Sequence, residues 1–227
     1  MTASRLAVLR LVRSPRALAT GLVWLALAFV AAGVERSRSW PSAGHVLLGA
    51  FGAIALPLLV FAIVGATLAG AGFGRSARPL VAFGADPLRV AAGTLAVAAL
   101  VSVVVCALSS AAVAAIAHGP DDPPLLRDAL VSAKVGALAG LAYAAYFALG
   151  ACIFRSGVGR GVLLALDWVL ADTGGVVTLA VPRTHVRSLF GGSSAMELSQ
   201  RASTLSLLLL AVLFGALALT LARRQRA

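Results

Sequence analysis

Charge is scarce in this chain. Only 12% of its 227 residues are charged and only eight are acidic, whereas 60% are hydrophobic and the mean hydropathy is +0.98. That balance excludes a soluble domain and implies an integral membrane protein. Cysteine is almost absent too. Cys106 and Cys152 each sit inside an apolar run, with no CxxC spacing and no neighbouring histidine, so they read as small packing residues and not as a disulfide or thiolate metal ligands. The few acids do not gather as a metal-dependent head-group enzyme requires. A Walker A lysine motif is also missing. Gly157, Gly159 and Gly161 have the spacing of a glycine-rich phosphate loop, but no strand precedes them, Arg160 is not at the lysine position and a membrane span follows; they read as a turn at the membrane edge. This chain is therefore expected to bind no cofactor, and any ATP belongs on a partner.

What is present is a series of apolar runs separated by arginines. The formal charge of +11 would suit a nucleic-acid partner, but most arginines flank apolar runs, where they set topology and meet anionic head groups, so no nucleic acid is expected. The expected fold is all-α and polytopic, a single transmembrane domain over 16–222. Its six spans are placed near 16–34, 45–71, 88–117, 129–154, 161–181 and 203–222, with both termini cytoplasmic and a basic tail at 223–227. Residues 1–15 read as an interfacial amphipathic helix: Arg5, Arg10, Arg13 and Arg16 lie on one arc, with Ala7, Val8, Leu11 and Val12 opposite. The same region has the outline of a signal peptide with small residues at Ala31 and Ala32, and that alternative stays open, although the apolar run is longer than a usual signal core. The positive-inside rule supports the topology. Residues 1–16, 72–89, 155–160 and 223–227 carry nearly all the net positive charge, while 118–128 is net acidic through Asp121, Asp122 and Asp128 against Arg127.

Local signals add detail. Pro57 falls in the middle of the second span, where it kinks a helix and frees a carbonyl. Gly136 and Gly140 have GxxxG spacing in the fourth span and admit a close helix neighbour. Arg155 and Arg160 mark the return to the cytoplasm. Asp172-Thr173-Gly174-Gly175 interrupts the fifth span, and 182–201 is a polar, small-residue external segment.

The segment Gly72–Arg89 organises the rest. Arg75, Arg78 and Arg89 outweigh Asp86 and put it on the cytoplasmic side. Pro79 suits the first turn of a short helix over Pro79–Phe83, Gly84 ends that helix, and Asp86-Pro87 caps the span that follows. Phe83 is a lone aromatic in a basic loop, which either anchors an interface or dips into lipid.

Ionisable residues inside spans cost roughly 2.5–3.5 kcal/mol on insertion scales and seek partners or water. Lys134 and Asp172 are placed at compatible depths, either as an ion pair or hydrated notch at the helix break or as a substrate or gating contact. Asp167 falls about 9 Å from the inner end of its span, where Arg155, Arg160 or cytoplasmic water are its expected neighbours. His45, His118 and His185 lie in or beside outer loops at unrelated spacings, which gives no metal or haem ligand set. Arg183, His185 and Arg187 form an expected cationic rim at the outer exit.

These residues together resemble the six-span permease subunits of ABC-2-type ATP-driven transporters. The resemblance covers most of the chain. It rests on the amphipathic helix before the first span, the turn from Val81 to Arg89, and the interrupted fifth span followed by Leu179 to Gly192. What it implies is a coupling helix at Pro79–Phe83 seated in a groove of a separate ABC ATPase subunit, with Arg75, Arg78, Pro79, Phe83, Asp86 and Arg89 as the contact. It also implies a second permease copy or homologue, export of a small hydrophobic or amphipathic substrate across the plasma membrane, and no enzymatic activity of this chain. Two alternatives stand beside it. One is a non-transporting structural subunit of a membrane complex. The other is an intramembrane enzyme, for which Ser193 or Ser194 with His185 lack a supporting elbow motif.

Overall fold

In a computed structural model the described residues are 2–154, 156–173, 175–193 and 198–224; Arg155, Gly174, Ser194 and Arg226 lie outside them. The described chain is helical throughout. Helices α1 (Ala3–Val12), α2 (Pro15–Arg36) and α3 (Ala43–Val46) lead into a π-helical stretch, Leu47–Ala55, that continues as α4 (Leu56–Thr67). Then come α5 (Phe73–Ala82), α6 (Pro87–Ala117), α7 (Leu125–Ile153), α8 (Gly159–Leu170), a 3-10 turn (Val176–Ala180), α9 (Pro182–Leu189) and α10 (Gln200–Arg224).

Among the described residues, five of these segments are long and apolar enough to cross a membrane: Pro15–Arg36, Ala43–Thr67, Pro87–Ala117, Leu125–Ile153 and Gln200–Arg224. The span expected at 161–181 is not one of them. Helix α8 has 12 residues and rises only about 18 Å. It stops because Ala171–Thr173 turn back on Leu170 and because Gly175 takes a positive φ of 81°, a conformation that carries the chain out of helical register.

The core is built around α7. The α6–α7 pair makes the most extensive helix contact, and α10 packs on the same central helix. Close approach there depends on the expected GxxxG pair. A Cβ on Gly140 would sit 2.6 Å from the Ser102 carbonyl oxygen, and one on Gly136 would collide with Cys106 O and Ser110 Oγ. Tyr143, Phe147 and Cys106 are fully buried, and Cys152 is buried with its thiol against the carbonyl of Ala218. Neither cysteine is in a disulfide. Helices α2 and α10 lie at the edge, with Leu22, Val30, Leu209 and Val212 more than half exposed.

Pro57 acts as its chemistry requires. It has no N–H for the carbonyl of Ala53, four residues back, and the backbone before it is π-helical with Leu56 N–H reaching Phe51 O. The orphaned Ala53 carbonyl accepts a hydrogen bond at 3.2 Å from the indole of Trp168 on α8. A buried carbonyl left open in a membrane helix is costly, so the proline and the tryptophan, 111 positions later in the chain, form one device that ties the half-length helix to the bundle.

Candidate functional site

One end of the bundle carries the surface that the sequence singles out. Helix α5 begins at Phe73, not at Pro79, and runs to Ala82 with Pro79 inside it. As the seventh residue of the helix, Pro79 has no N–H to offer the Arg75 carbonyl four residues back, and the helix ends one turn later. The helix sorts its residues by face: Phe73, Ser76 and Ala77 are buried, while Arg75, Arg78 and Pro79 are exposed. It ends as expected, through Gly84 at φ 84°. Asp86 then caps α6 by accepting the Leu88 N–H at 3.0 Å.

Phe83 stands at the tip, 92% exposed. Arg75, Arg78 and Arg89 are exposed on the same segment. Helix α5 is fastened from behind, where the guanidinium of Arg10 on α1 donates to both the hydroxyl and the carbonyl of Ser76, the latter at 3.0 Å. On α1 itself Arg10 turns toward the body and Ala7 is buried, while Arg5, Val8 and Val12 are exposed.

A second constellation lies within the bundle. Asp167 is fully buried: Oδ2 accepts from the Tyr143 hydroxyl at 2.8 Å and Oδ1 from the Arg183 backbone N–H at 3.2 Å. Arg183 is the second residue of α9, so a carboxylate on α8 satisfies an orphan donor at the start of the next helix. Among the described residues its partners are thus Tyr143 and Arg183 and not the expected Arg160, which donates to Gly70 O and Gly157 O instead. Rise along a straight fifth span gave no sign of the Arg183 N–H, because the break after Leu170 brings the start of α9 back to α8. Tyr146, one helical turn on, donates to the Leu163 carbonyl at 3.0 Å.

The expected Lys134–Asp172 pair does not form. Asp172 faces Arg187 at 3.4 Å with both side chains more than half exposed, while Lys134 is exposed on α7. Nor is there a three-member cationic rim. His185 is 1% exposed, and its Nε2–H donates to Leu179 O at 3.0 Å. Burial pushes its pKa below the usual value against that hydrogen bond, leaving the ring neutral at pH 7. Arg183 and Arg187 do line a cavity of about 620 Å³ together with His45 and Phe190.

Several residues that the sequence left inconspicuous carry contacts. Glu35, read as part of a polar loop, is 4% exposed and binds His45 Nδ1 at 2.8 Å and Arg38 at 3.1 Å. Asp122 clamps two loops, accepting from Ser42 Oγ at 2.9 Å, Ala43 N–H at 2.8 Å and Gly119 N–H at 2.9 Å. Burial by itself raises the Asp122 pKa, but these donors and nearby His118 outweigh it and hold the carboxyl below its usual value. His118, Asp122 and Asp128 also bring ligand-type atoms within 4.8 Å of one another; spacing gave no hint of this, since Asp128 reaches the group from the first turn of α7. Packing accounts for two of the three turn glycines: Gly157 has a φ of 77° and a Cβ there would press on Ala71, and a Cβ on Gly159 would collide with Gly150 O, whereas Gly161 has open space around it.

No protein-family model matches the chain, and no curated protein is significantly similar to it.

Proposed function

We propose that the chain is the membrane-spanning subunit of an ABC-2-type ATP-driven transporter, exporting a small hydrophobic or amphipathic substrate across the plasma membrane with a separate ATPase. The observation that carries this reading is the α5–Phe83 handle. An almost fully exposed phenylalanine, ringed by arginines and mounted on a helix pinned from behind by Arg10, has the make-up of an aromatic anchor for a partner's pocket. A residue serving only to pack this chain would be covered by it.

In this reading α8 and the 3-10 turn make the crossing expected at 161–181, interrupted after Leu170, α9 lies outside with the segment 182–201, and both termini are cytoplasmic by the distribution of arginine. Two copies, or this chain and a homologue, would supply twelve crossings around a path, with the exposed apolar faces of α2 and α10 toward lipid or the second copy. The chain itself is not an enzyme, and ATP turnover resides in the partner.

The test is affinity purification from the native membrane in mild detergent, comparing the wild type with Phe83→Asp. An ATPase is expected to accompany the wild type and to be lost from a variant that remains folded. Wild-type protein that carries no ATPase would favour a non-transporting structural subunit.

A further inference from the structure

Independently of the transport reading, we infer that the cavity between α1, α2 and α4 at the arginine-rich end is a binding site for the phosphate head group of an anionic phospholipid. The cavity is about 800 Å³, and four arginines are among its lining residues, Arg10, Arg13, Arg16 and Arg160. No acidic side chain is among its lining residues, and none of the ion pairs of the described residues uses these arginines.

Arg160 is the decisive residue. It is only 5% exposed, at the start of α8. Its Nη2 donates to Gly70 O at 3.0 Å, its Nε to Gly157 O at 3.4 Å, and its guanidinium carbon lies 5.7 Å from the centre of the Phe61 ring. Nη1 is buried without an acceptor. It is packed against Gly65, a residue of the cavity wall, where an added Cβ would come within 3.1 Å of it. A buried cationic donor with no acceptor is a costly arrangement, and a phosphate oxygen entering beside Gly65 relieves it once the guanidinium rotates toward the cavity.

Two further features point the same way. The amino end of α2 opens into the cavity through Ser14, Pro15, Arg16 and Ala17. The Ser14 side chain makes no capping bond there, so the orphan N–H groups and positive dipole end of a 22-residue helix face the space. Leu6, Leu9 and Phe61 form apolar walls beside the arginines. A free phosphate has no use for those walls, whereas a phospholipid fills both halves, with its phosphate among the guanidiniums and acyl chains along the leucines.

The experiment measures lipid retained by the purified full-length protein, by native mass spectrometry after exchange into micelles doped with either phosphatidylglycerol or phosphatidylcholine. The wild type is expected to retain phosphatidylglycerol in preference by about tenfold, the scale of one charge-assisted contact, and Arg160→Gln to abolish the preference. Because Arg160 also braces α8, Arg13→Gln/Arg16→Gln provides a second variant at exposed positions, expected to lower the preference several-fold, by about threefold or more, with the thermal midpoint unchanged. Inorganic phosphate added in excess is expected not to displace the lipid. Equal retention of both lipids by the wild type, an undiminished preference in both variants, or full displacement by inorganic phosphate would each overturn the assignment.

Discussion

At the scale of single residues, the interior of this bundle is governed by a few polar atoms that have no water to turn to. Tyr143→Phe removes one of the two protein donors to the buried Asp167 carboxylate while keeping the ring that stacks on Phe147. The expected cost is about 1–3 kcal/mol, the penalty of a buried acceptor left short of a donor, read as a lowered thermal midpoint in detergent. Phe83→Ala, in contrast, is expected to change stability by less than about 0.5 kcal/mol, since the side chain is almost wholly exposed. The same midpoint measurement separates the two roles. Asp122 gives a pH dependence. Its folded pKa lies below the unfolded value of about 3.9, so the stability it contributes is present above pH 4 and is lost as the pH falls through the folded value. Asp122→Asn is expected to flatten the acid limb of a stability–pH curve below about pH 4; an unchanged limb would mean that the loop clamp is not linked to global unfolding.

Among elements, the coupling of Pro57 to Trp168 is the most specific relation. Trp168→Phe leaves the Ala53 carbonyl without its indole donor and is expected to cost about 1 kcal/mol. In a Pro57→Ala background a backbone N–H becomes available at residue 57, so the tryptophan change is expected to cost much less. A double-mutant cycle reads the difference, with a coupling of about 0.5 kcal/mol or more expected; strict additivity would rule out the shared carbonyl. The α6–α7 contact makes a second prediction at this scale. Gly140→Leu places a branched side chain where even a Cβ meets the Ser102 backbone, and overpacking of this kind costs about 1–3 kcal/mol or more, measurable as loss of monodisperse protein on size exclusion. Much of the α6–α7 contact was legible beforehand, because GxxxG is a local pattern with a direct steric meaning. The start of α5 was not. Pro79 looks like a first-turn residue by its own preference, but burial of Phe73 and Ala77 against the bundle and the Arg10 clasp on Ser76 extend the helix by nearly two turns toward its amino end.

For the whole molecule, the topology can be tested with the native cysteines in place, since both are buried. Single cysteines introduced at Arg78 and Arg89 are expected to label with an impermeant maleimide from the cytoplasmic side only, and those at Arg38, Asp121 and Thr173 from the opposite side only. The last position is the informative one. Labelling of Thr173→Cys from the cytoplasmic side would mean that α8 is a re-entrant segment, leaving five crossings and the termini on opposite faces. The sequence by itself determined that this is a membrane protein of long apolar helices, where its arginines gather, that its cysteines are packing residues, and how Gly84 and Asp86-Pro87 turn α5 into α6. Each of these depends on composition or on neighbours within about one helical turn, so a linear reading reaches them. Only the tertiary structure decided the partners of the polar groups: Asp167 with Tyr143 and α9, Asp172 with Arg187, Trp168 with Ala53, and Arg160 beside an empty-handed cavity wall. Those pairings depend on how helices separated by 15 to 115 positions rotate against one another, and in a chain whose spans are nearly uniformly apolar, hydropathy carries almost no information about rotation.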